Sequence, residues 1–332
     1  MGLQDAVTGP HERLASHLAD DLVAVDGLIR ERMASPHAPR IPEVTAHLVE
    51  AGGKRLRPML TLAAARLCGY AGPYHVHLAA SVEFIHTATL LHDDVVDQSR
   101  RRRGRATANL LWDNKSSVLV GDYLFSRAFQ LMVETGSLQV LDILANASAT
   151  IAEGEVLQLT AAQDLATDEN IYLKIVRGKT AALFAAACEV GGVIADAAPD
   201  QVRALNTYGD ALGIGFQIVD DLLDYGGTAA TGKNIGDDFR ERKLTLPLIK
   251  AGALADETER EFWQRVIEKG DQRVGDLDHA LGLLRDHDAL AAAHADAAKW
   301  IGRAKAALND LPADPLRTML FDLAEFVVAR VS

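Results

Sequence analysis

Cysteine and aromatic residues are scarce in this sequence. Only Cys68 and Cys188 occur among its 332 residues. Two cysteines cannot build a disulfide framework or a zinc cluster, and their scarcity suits a reducing compartment. Aromatic residues make up 5% of the chain, which disfavours a fold rich in β-strands, because strands favour aromatic side chains.

Long hydrophobic runs and a targeting signal are also missing. The longest stretch without a charged residue, Leu67–Val82, has sixteen residues and contains Gly69, Gly72 and Pro73, so it is too short and too broken to span a membrane. The N-terminus, MGLQDAVTG, lacks a basic segment followed by an apolar one, and Ala6 stands where a myristoylation pattern needs Ser or Thr. We expect a cytoplasmic protein without a stable membrane anchor.

Basic residues are outnumbered by acidic ones. Lysine and arginine total 34 and aspartate and glutamate 46, which gives a net charge of 34 − 46 = −12. A general nucleic-acid binder carries the opposite sign, so no nucleic-acid partner is expected. The content of 48% hydrophobic and 24% charged residues is typical of a folded globular protein.

Helical periodicity dominates what is present. Apolar residues recur at spacings of three and four from Leu14 to Ile29, as in an amphipathic helix. Further helices are predicted over Leu78–Asp97, Ser116–Thr135, Leu138–Leu159, Asn170–Val190 and Ala204–Tyr225. Because no linker rich in Pro, Gly or Ser divides the chain, we predict one all-α domain over residues 1–332, built as a bundle of long helices.

One motif occurs twice, each time at the end of a long apolar helix. DDVVD spans Asp93–Asp97, and DDLLD spans Asp220–Asp224. On a helix the first and last aspartates of each motif lie on one face. Paired carboxylates repel unless a cation neutralises them, and Mg²⁺ accepts one or two carboxylates together with phosphate oxygens. A single copy fits a solvated helix end equally well, but two copies favour a metal site.

Clusters of basic residues accompany these motifs in an otherwise acidic chain. They comprise Arg100, Arg101, Arg102, Arg103 and Arg105 after the first motif, Lys54, Arg55 and Arg57 in GGKRLRP, Lys179 in RGKTA, and Lys233 and Lys243 after the second motif. Cations beside metal-binding carboxylates indicate a polyanion that both hold, and a diphosphate fits. The alternatives for the arginine run are a solvated basic loop and a nucleic-acid patch, and the net charge and the lack of interleaved aromatic residues disfavour the second.

The segment Gly227–Lys233 has the spacing of a phosphate-binding P-loop up to its last position, where Asn234 replaces Ser or Thr. A P-loop follows a strand and needs that hydroxyl for Mg²⁺. Here the DDLLD helix precedes it, so an NTPase is rejected.

Together, GGKRLRP, EFIHTATLLHDDVVD, RRGRAT, GEVLQL, GKTA, FQIVDDLLDY and GKNIGDDFRERKLTLPLI resemble the trans-type isoprenyl diphosphate synthases. The closest resemblance is to the long-chain branch that makes octaprenyl or decaprenyl diphosphate for quinone side chains. It covers the chain from about Leu14 to the C-terminus. The resemblance implies long helices around a central elongated apolar cavity, a homodimer, and a product delivered to the membrane. It also implies head-to-tail condensation of isopentenyl diphosphate onto an allylic diphosphate, with farnesyl diphosphate as the expected primer.

The resemblance also implies residue roles. Asp93, Asp97 and Asp220 are expected to bind Mg²⁺, with Asp221 and Asp224 as neighbours and three ions in the ternary complex. The isopentenyl diphosphate site is expected at Lys54, Arg57, His86 and Arg103. The allylic site is expected at Arg102, Lys179, Thr180, Gln217 and Lys233, and four of these, Arg102, Lys179, Thr180 and Gln217, are the expected catalytic residues. Three positions depart from the family pattern: Gln98 replaces a common acid, Arg100-Arg101 replaces a less basic pair, and Arg242 stands where glycine is frequent.

Product length is expected to depend on the helix that precedes Asp93. Short-chain relatives block the path of the growing chain with Phe or Tyr five or four residues before this aspartate, and here those positions are Ala88 and Thr89. Ile85 lies further back. On the facing helix, Phe129 and Met132 are predicted to share one face, with Met132 favoured for the cavity floor, although both would also suit an ordinary core.

Two other classes remain open. A class I terpene cyclase ionises the same substrates but has no second diphosphate to bind, and the Lys54–Arg57 segment favours the synthase. A non-catalytic subunit of a heteromeric synthase should have lost aspartates or arginines, and this chain retains both sets.

Overall fold

A computed structural model of the chain describes residues 9–50, 53–102, 104–226 and 235–330. Helices dominate these residues, which confirms the predicted all-α class. In chain order they are α1 Pro10–His17, α2 Ala19–Met33, α3 Arg40–Glu50, α4 Leu56–Leu67, α5 Tyr74–Val96, α6 Ala108–Leu111, α7 Asn114–Glu134, α8 Leu138–Ala161, α9 Glu169–Val176, α10 Ala182–Ile194, α11 Pro199–Gly226, α12 Asp237–Arg240, α13 Leu246–Leu254, α14 Glu257–Trp263, α15 Asp276–Asp286, α16 Ala289–Ala307 and α17 Pro315–Ala329. Among them, none combines the length and apolar character that a membrane span requires.

Two kinds of element were not predicted. Strands β1 (Arg101–Arg102) and β2 (Arg105–Ala106) form an antiparallel ribbon in which Arg102 lies opposite Arg105. Two-residue strands are too short to show alternation, so the sequence does not reveal them. A π-helix, Arg177–Ala181, joins α9 to α10 within the predicted helix Asn170–Val190, and a second, Gln264–Glu268, follows α14.

The predicted long helices are otherwise confirmed at α5, α7, α8 and α11. The periodic segment at the N-terminus forms two helices rather than one, because Leu18 leaves the helical conformation with φ −104° and ψ 18°. Its side chain is nonetheless 3% exposed, so the apolar stripe continues into the core across the break.

By its internal contacts the chain divides into two compact units, with the boundaries inside helical segments. The first comprises Met1–Ser148, Ala186–Asn206 and Asp310–Leu320. At its centre α5 packs against α2, α4 and α7. Most of α5 is buried from His75 to Leu91, as expected for a helix that is apolar nearly all round.

The second unit comprises Ala149–Ala185, Thr207–Asn309 and Phe321–Ser332. In this unit α13 packs against α9, α15 and α16. Its core includes Tyr225, Phe239, Leu248, Trp263 and Ile267. The organisation of residues 1–332 as a single domain stays a prediction.

Candidate active site

The first aspartate motif occupies the last turn of α5. The amide of Asp97 donates to the carbonyl oxygen of Asp93 at 2.8 Å, which continues the helical turn to the end of the motif. Asp93 is half-buried and Asp97 is exposed. Helical geometry therefore places these two carboxylates on one side of the turn.

The middle aspartate of this motif has a different environment. Asp94 is fully buried, and its Oδ1 accepts hydrogen bonds from Arg102 Nε at 3.0 Å and Nη2 at 2.8 Å. Among the described residues, Asp94 Oδ2 has no hydrogen-bond partner. The β1–β2 ribbon that carries Arg102 is thus joined to the first motif through charge-assisted hydrogen bonds. The sequence analysis did not include Asp94 among the candidate site residues.

The cations of GGKRLRP separate into two groups. Arg55 forms ion pairs with Glu83 and, at 3.2 Å, with Asp26, so its charge is balanced within the unit. Arg57 Nη1 lies 3.3 Å from His86 Nε2, and these two are half-buried. Lys54 is exposed just before α4. Of the predicted isopentenyl diphosphate site, the structure brings Arg57 and His86 together.

Several predicted residues lie outside the described residues. These are Arg103, Lys233 and the rest of the Gly227–Lys233 segment. Gly104, just before β2, has φ +76°, a conformation that glycine adopts without strain.

In the second unit, a chain of hydrogen bonds joins four side chains. Thr180 Oγ1 donates to Gln217 Oε1 at 2.9 Å, and Gln217 Nε2 donates to Asp221 Oδ1 at 2.9 Å. Tyr172 Oη donates to Asp221 Oδ2 at 2.6 Å. Thr180, Tyr172 and Asp221 are buried, and Gln217 is half-buried. The predicted pair Thr180 and Gln217 is therefore in direct contact, and Tyr172 is a member that sequence reasoning missed.

Carboxylates crowd the end of α11. Burial and the neighbouring Asp238 raise the pKa of Asp221 to about 8. Burial and the neighbouring Asp224 raise the pKa of Asp238 to about 7. Asp224 Oδ2 also accepts from the amide of Asp238 at 3.1 Å, so Asp224 holds the start of α12 near the motif. Asp220, by contrast, is half-buried.

Lys179 lies within the π-helix Arg177–Ala181. Its Nζ donates to Glu155 Oε2 at 2.9 Å. The approach of α8 to this π-helix depends on two glycines, because a Cβ on Gly154 would lie 2.8 Å from Lys179 N and 2.9 Å from Gly178 Cα. The glycines of GEVLQL and RGKTA therefore bring Glu155 and Lys179 together. Short π-helical segments within α-helices are frequent at functional sites.

The predicted length-determining residues have mixed outcomes. Ala88 and Ile85 are fully buried in α5, and Met132 is 1% exposed in α7. Thr89 is half-buried, and its hydroxyl donates to the carbonyl oxygen of His86 at 2.8 Å. Phe129 is 41% exposed, so the prediction that it shares the buried face of Met132 is wrong.

Two departures from the family pattern have unusual backbone conformations. Gln98 has φ +51° and Arg242 has φ +58°. These values lie in the left-handed region, where glycine is free of strain, which explains why glycine is frequent at the position of Arg242. The Arg242 guanidinium lies 3.4 Å from the carbonyl oxygen of Ile267, a contact that glycine would lack.

The donor set fits Mg²⁺. Carboxylates that lie close together in a buried environment repel one another, and a divalent cation relieves that repulsion. Within the part of the chain that the structure describes, no three His, Cys, Asp or Glu side chains are arranged to hold a metal ion by themselves. An ion at either motif therefore needs further oxygens from substrate or water, as is typical of Mg²⁺ beside phosphates.

The site residues that the sequence analysis missed differ in how far the sequence indicates them. Glu155 and Asp238 lie in GEVLQL and GKNIGDDFRERKLTLPLI, two segments that carry the family resemblance. Asp94 lies inside the first motif, but its partner cannot be read from spacing. Tyr172 has no motif of its own and contacts Asp221 across 49 residues of sequence.

Comparison with known proteins decides the family. The family described as polyprenyl synthetase matches residues 38–284. The chain belongs to the polyprenyl synthetase family. A decaprenyl diphosphate synthase structure from Rhodobacter capsulatus is 73% identical to this synthase, with a TM-score of 0.95, and the match covers 97% of this chain and 99% of that chain.

Two further relatives agree. A polyprenyl synthase structure from Caulobacter crescentus CB15, complexed with calcium and isoprenyl diphosphate, is 51% identical with a TM-score of 0.92, covering 98% of this chain and 99% of that chain. Octaprenyl diphosphate synthase of Escherichia coli (strain K12) is 42% identical over 320 residues, 96% of this chain and 98% of the relative. The protein is a long-chain trans-polyprenyl diphosphate synthase, a prenyltransferase of isoprenoid biosynthesis with the isoprenoid synthase fold.

Proposed function

We propose that this synthase condenses isopentenyl diphosphate onto farnesyl diphosphate, with Mg²⁺, to give octaprenyl or decaprenyl diphosphate for quinone side chains. One observation carries the proposal. In each unit, the helix that carries an aspartate motif also carries a side chain that contacts a predicted diphosphate-binding residue. Asp93 and Asp97 end the helix that carries His86, which contacts Arg57. Asp220 lies in the C-terminal part of α11, the helix that carries Gln217, and Gln217 contacts Thr180 beside Lys179.

Ionisation of the allylic carbon–oxygen bond needs stabilisation of the departing diphosphate. When bound, Mg²⁺ supplies Lewis-acid stabilisation of that negative charge. Asp93, Asp97 and Asp220 would hold the ions, while Lys179 and Arg102 would bind diphosphate oxygens. Arg102 is oriented for this by Asp94, and Lys179 by Glu155.

The second substrate must be held separately. Lys54, Arg57, His86 and Arg103 are proposed to bind isopentenyl diphosphate, so that its double bond attacks the allylic carbon at close range. Attack leaves a positive charge on the former alkene, a proton is then lost from the neighbouring carbon to form the new double bond, and the released diphosphate is the proposed base. The family's homodimer and cytoplasmic location remain predictions for this chain.

A long product is favoured by the small side chain of Ala88, which is fully buried in α5 five residues before Asp93. The 73% identity to a decaprenyl diphosphate synthase supports the longer product. We expect the growing chain to pass Ala88 and Thr89 along α5, with Met132 forming part of the floor.

The test of the reaction is consumption of labelled isopentenyl diphosphate. The protein should consume it when farnesyl diphosphate and Mg²⁺ are both present and should stop when EDTA removes the metal. A protein that ionised farnesyl diphosphate without consuming isopentenyl diphosphate would be a terpene cyclase, and the proposal would fail.

A further inference from the structure

Both carboxylate oxygens of Asp221, a buried aspartate of the second motif, accept hydrogen bonds from side chains. Oδ1 accepts from Gln217 and Oδ2 from Tyr172. Tyr172 and Asp221 are each 5% exposed. The NH₂ group of Gln217 and the hydroxyl of Tyr172 are thereby held by the buried Asp221 side chain. Hydrogen bonds are strong in such an environment because the local dielectric constant is low.

This arrangement determines which end of the Gln217 amide faces Thr180. The NH₂ group of Gln217 donates to Oδ1 of Asp221, while Tyr172 donates to Oδ2, so the Asp221 side chain holds the NH₂ end of the amide. The amide oxygen must then turn to the other side, where it accepts the proton of the Thr180 hydroxyl. Because that hydroxyl proton is occupied, Thr180 Oγ1 is left with only its acceptor lone pairs.

We propose that Tyr172 and Asp221 are positioning residues that orient the Gln217 amide and the Thr180 hydroxyl with their oxygens toward the allylic substrate. The inference rests on the proposed function, in which these two oxygens lie near the allylic cation. An amide turned the other way would present its positive NH₂ end to a developing cation, and the barrier to ionisation would rise. Neither Tyr172 nor Asp221 needs to touch the substrate for this effect.

The test removes only the tyrosine hydroxyl. Tyr172→Phe should lower kcat about tenfold, the scale of losing one buried hydrogen bond. It should leave the KM for isopentenyl diphosphate and the Mg²⁺ concentration at half-saturation within about twofold of wild type. Tyr225→Phe is the matched control, since Tyr225 is also 5% exposed and its hydroxyl contacts Thr245 instead. That control should keep the wild-type kcat.

A double-mutant cycle separates positioning from general stability. Thr180→Val removes the far end of the chain, so Tyr172→Phe added to Thr180→Val should cost less than about twofold more. The inference is overturned if the fold-losses in kcat of Tyr172→Phe and Thr180→Val multiply in the double variant. It is also overturned if Tyr172→Phe keeps the wild-type kcat, as expected of Tyr225→Phe.

If Tyr172→Phe lowers the melting temperature too far for kinetics, Asp221→Asn replaces it in the same cycle with Thr180→Val. In that cycle too, the double variant should lose little more kcat than Thr180→Val alone. Fold-losses in kcat that multiply would contradict the inference. Failure of the proposed function has a different signature, because wild-type protein would then not consume isopentenyl diphosphate at all.

Discussion

The aspartates of the two motifs differ in environment although their spacing is identical. Asp93 and Asp220 are half-buried in the C-terminal parts of their helices, whereas Asp94 and Asp221 are buried and bonded to Arg102 and Tyr172. The first aspartate of each motif is therefore proposed to bind metal. The second is fixed by its neighbours in the same unit.

Loss of a metal-binding carboxylate should be severe. Asp93→Ala or Asp220→Ala should lower turnover at least about a hundredfold, the scale of losing a major charge-stabilising group. Asp142→Ala, at an exposed aspartate of α8, is the control and should retain wild-type turnover. Near-normal turnover of either variant at saturating Mg²⁺ would refute the proposed role of that motif in metal binding.

The two diphosphates should respond to different cations. Arg103→Ala should mainly raise the KM for isopentenyl diphosphate, and Lys179→Ala should mainly raise the KM for the allylic substrate, each about tenfold or more because a charged hydrogen bond is lost. Titrating each substrate against each variant measures this. Interchanged effects would mean that the two sites are assigned the wrong way round.

Residue types and spacing predicted the carboxylates and cations of the candidate site, and the family resemblance implied the Thr180 hydroxyl, but neither revealed what orients them. Asp94, Glu155 and Tyr172 act through contacts across 8, 24 and 49 residues of sequence. No local pattern encodes such contacts, because they arise only after the helices pack. The structure supplies the partners.

At the scale of helices, most elements follow directly from periodicity. The π-helix Arg177–Ala181 does not, because one extra residue in a turn changes the apolar pattern too little to be seen. The exposure of Phe129 was missed for a related reason. A spacing of three is compatible with one face, but α7 turns Met132 inward and leaves Phe129 outside.

The start of α15 contains a carboxylate that contributes to stability. Asp276 accepts from Arg265 Nη1 and Nη2, each at 2.8 Å, and from the amide of Arg273 at 2.7 Å. The hydrogen bonds from Arg265 lower the pKa of Asp276 to about 2. A lowered pKa means that ionised Asp276 stabilises the fold at pH values above its unfolded pKa of about 3.9.

Asp276→Asn should therefore lower the melting temperature at neutral pH by about 1–3 °C. The difference from wild type should stay constant from about pH 5 to 8, shrink as the pH falls below about 4, and disappear near pH 2. Asp286→Asn, at the exposed C-terminal residue of the same helix, should cause no loss. A difference that grew on acidification would contradict this assignment.

Helices α5 and α7 are the proposed walls of the path for the growing chain. Ala88→Phe should shorten the product to farnesyl or geranylgeranyl diphosphate, because a ring replaces a methyl group beside that path. Met132→Ala should lengthen it. Phe129→Ala is the control on the same helix and should leave product length unchanged, since Phe129 is exposed. A full-length product from folded Ala88→Phe protein would show that the chain does not pass this residue.

For the whole molecule, the similarities and the sequence motifs agree on one enzyme class. The match to a decaprenyl diphosphate synthase covers 97% of this chain, and the all-α class predicted from periodicity is confirmed. Product length and primer are the properties that remain proposals. They depend on the volume open to a growing chain, which no motif encodes.

The most direct test of the central claim is the mass of the product that wild-type protein forms from isopentenyl diphosphate, farnesyl diphosphate and Mg²⁺. We predict octaprenyl or decaprenyl diphosphate as the dominant species, with shorter chains only as transient intermediates. A reaction that stopped at geranylgeranyl diphosphate with excess isopentenyl diphosphate remaining would contradict the account.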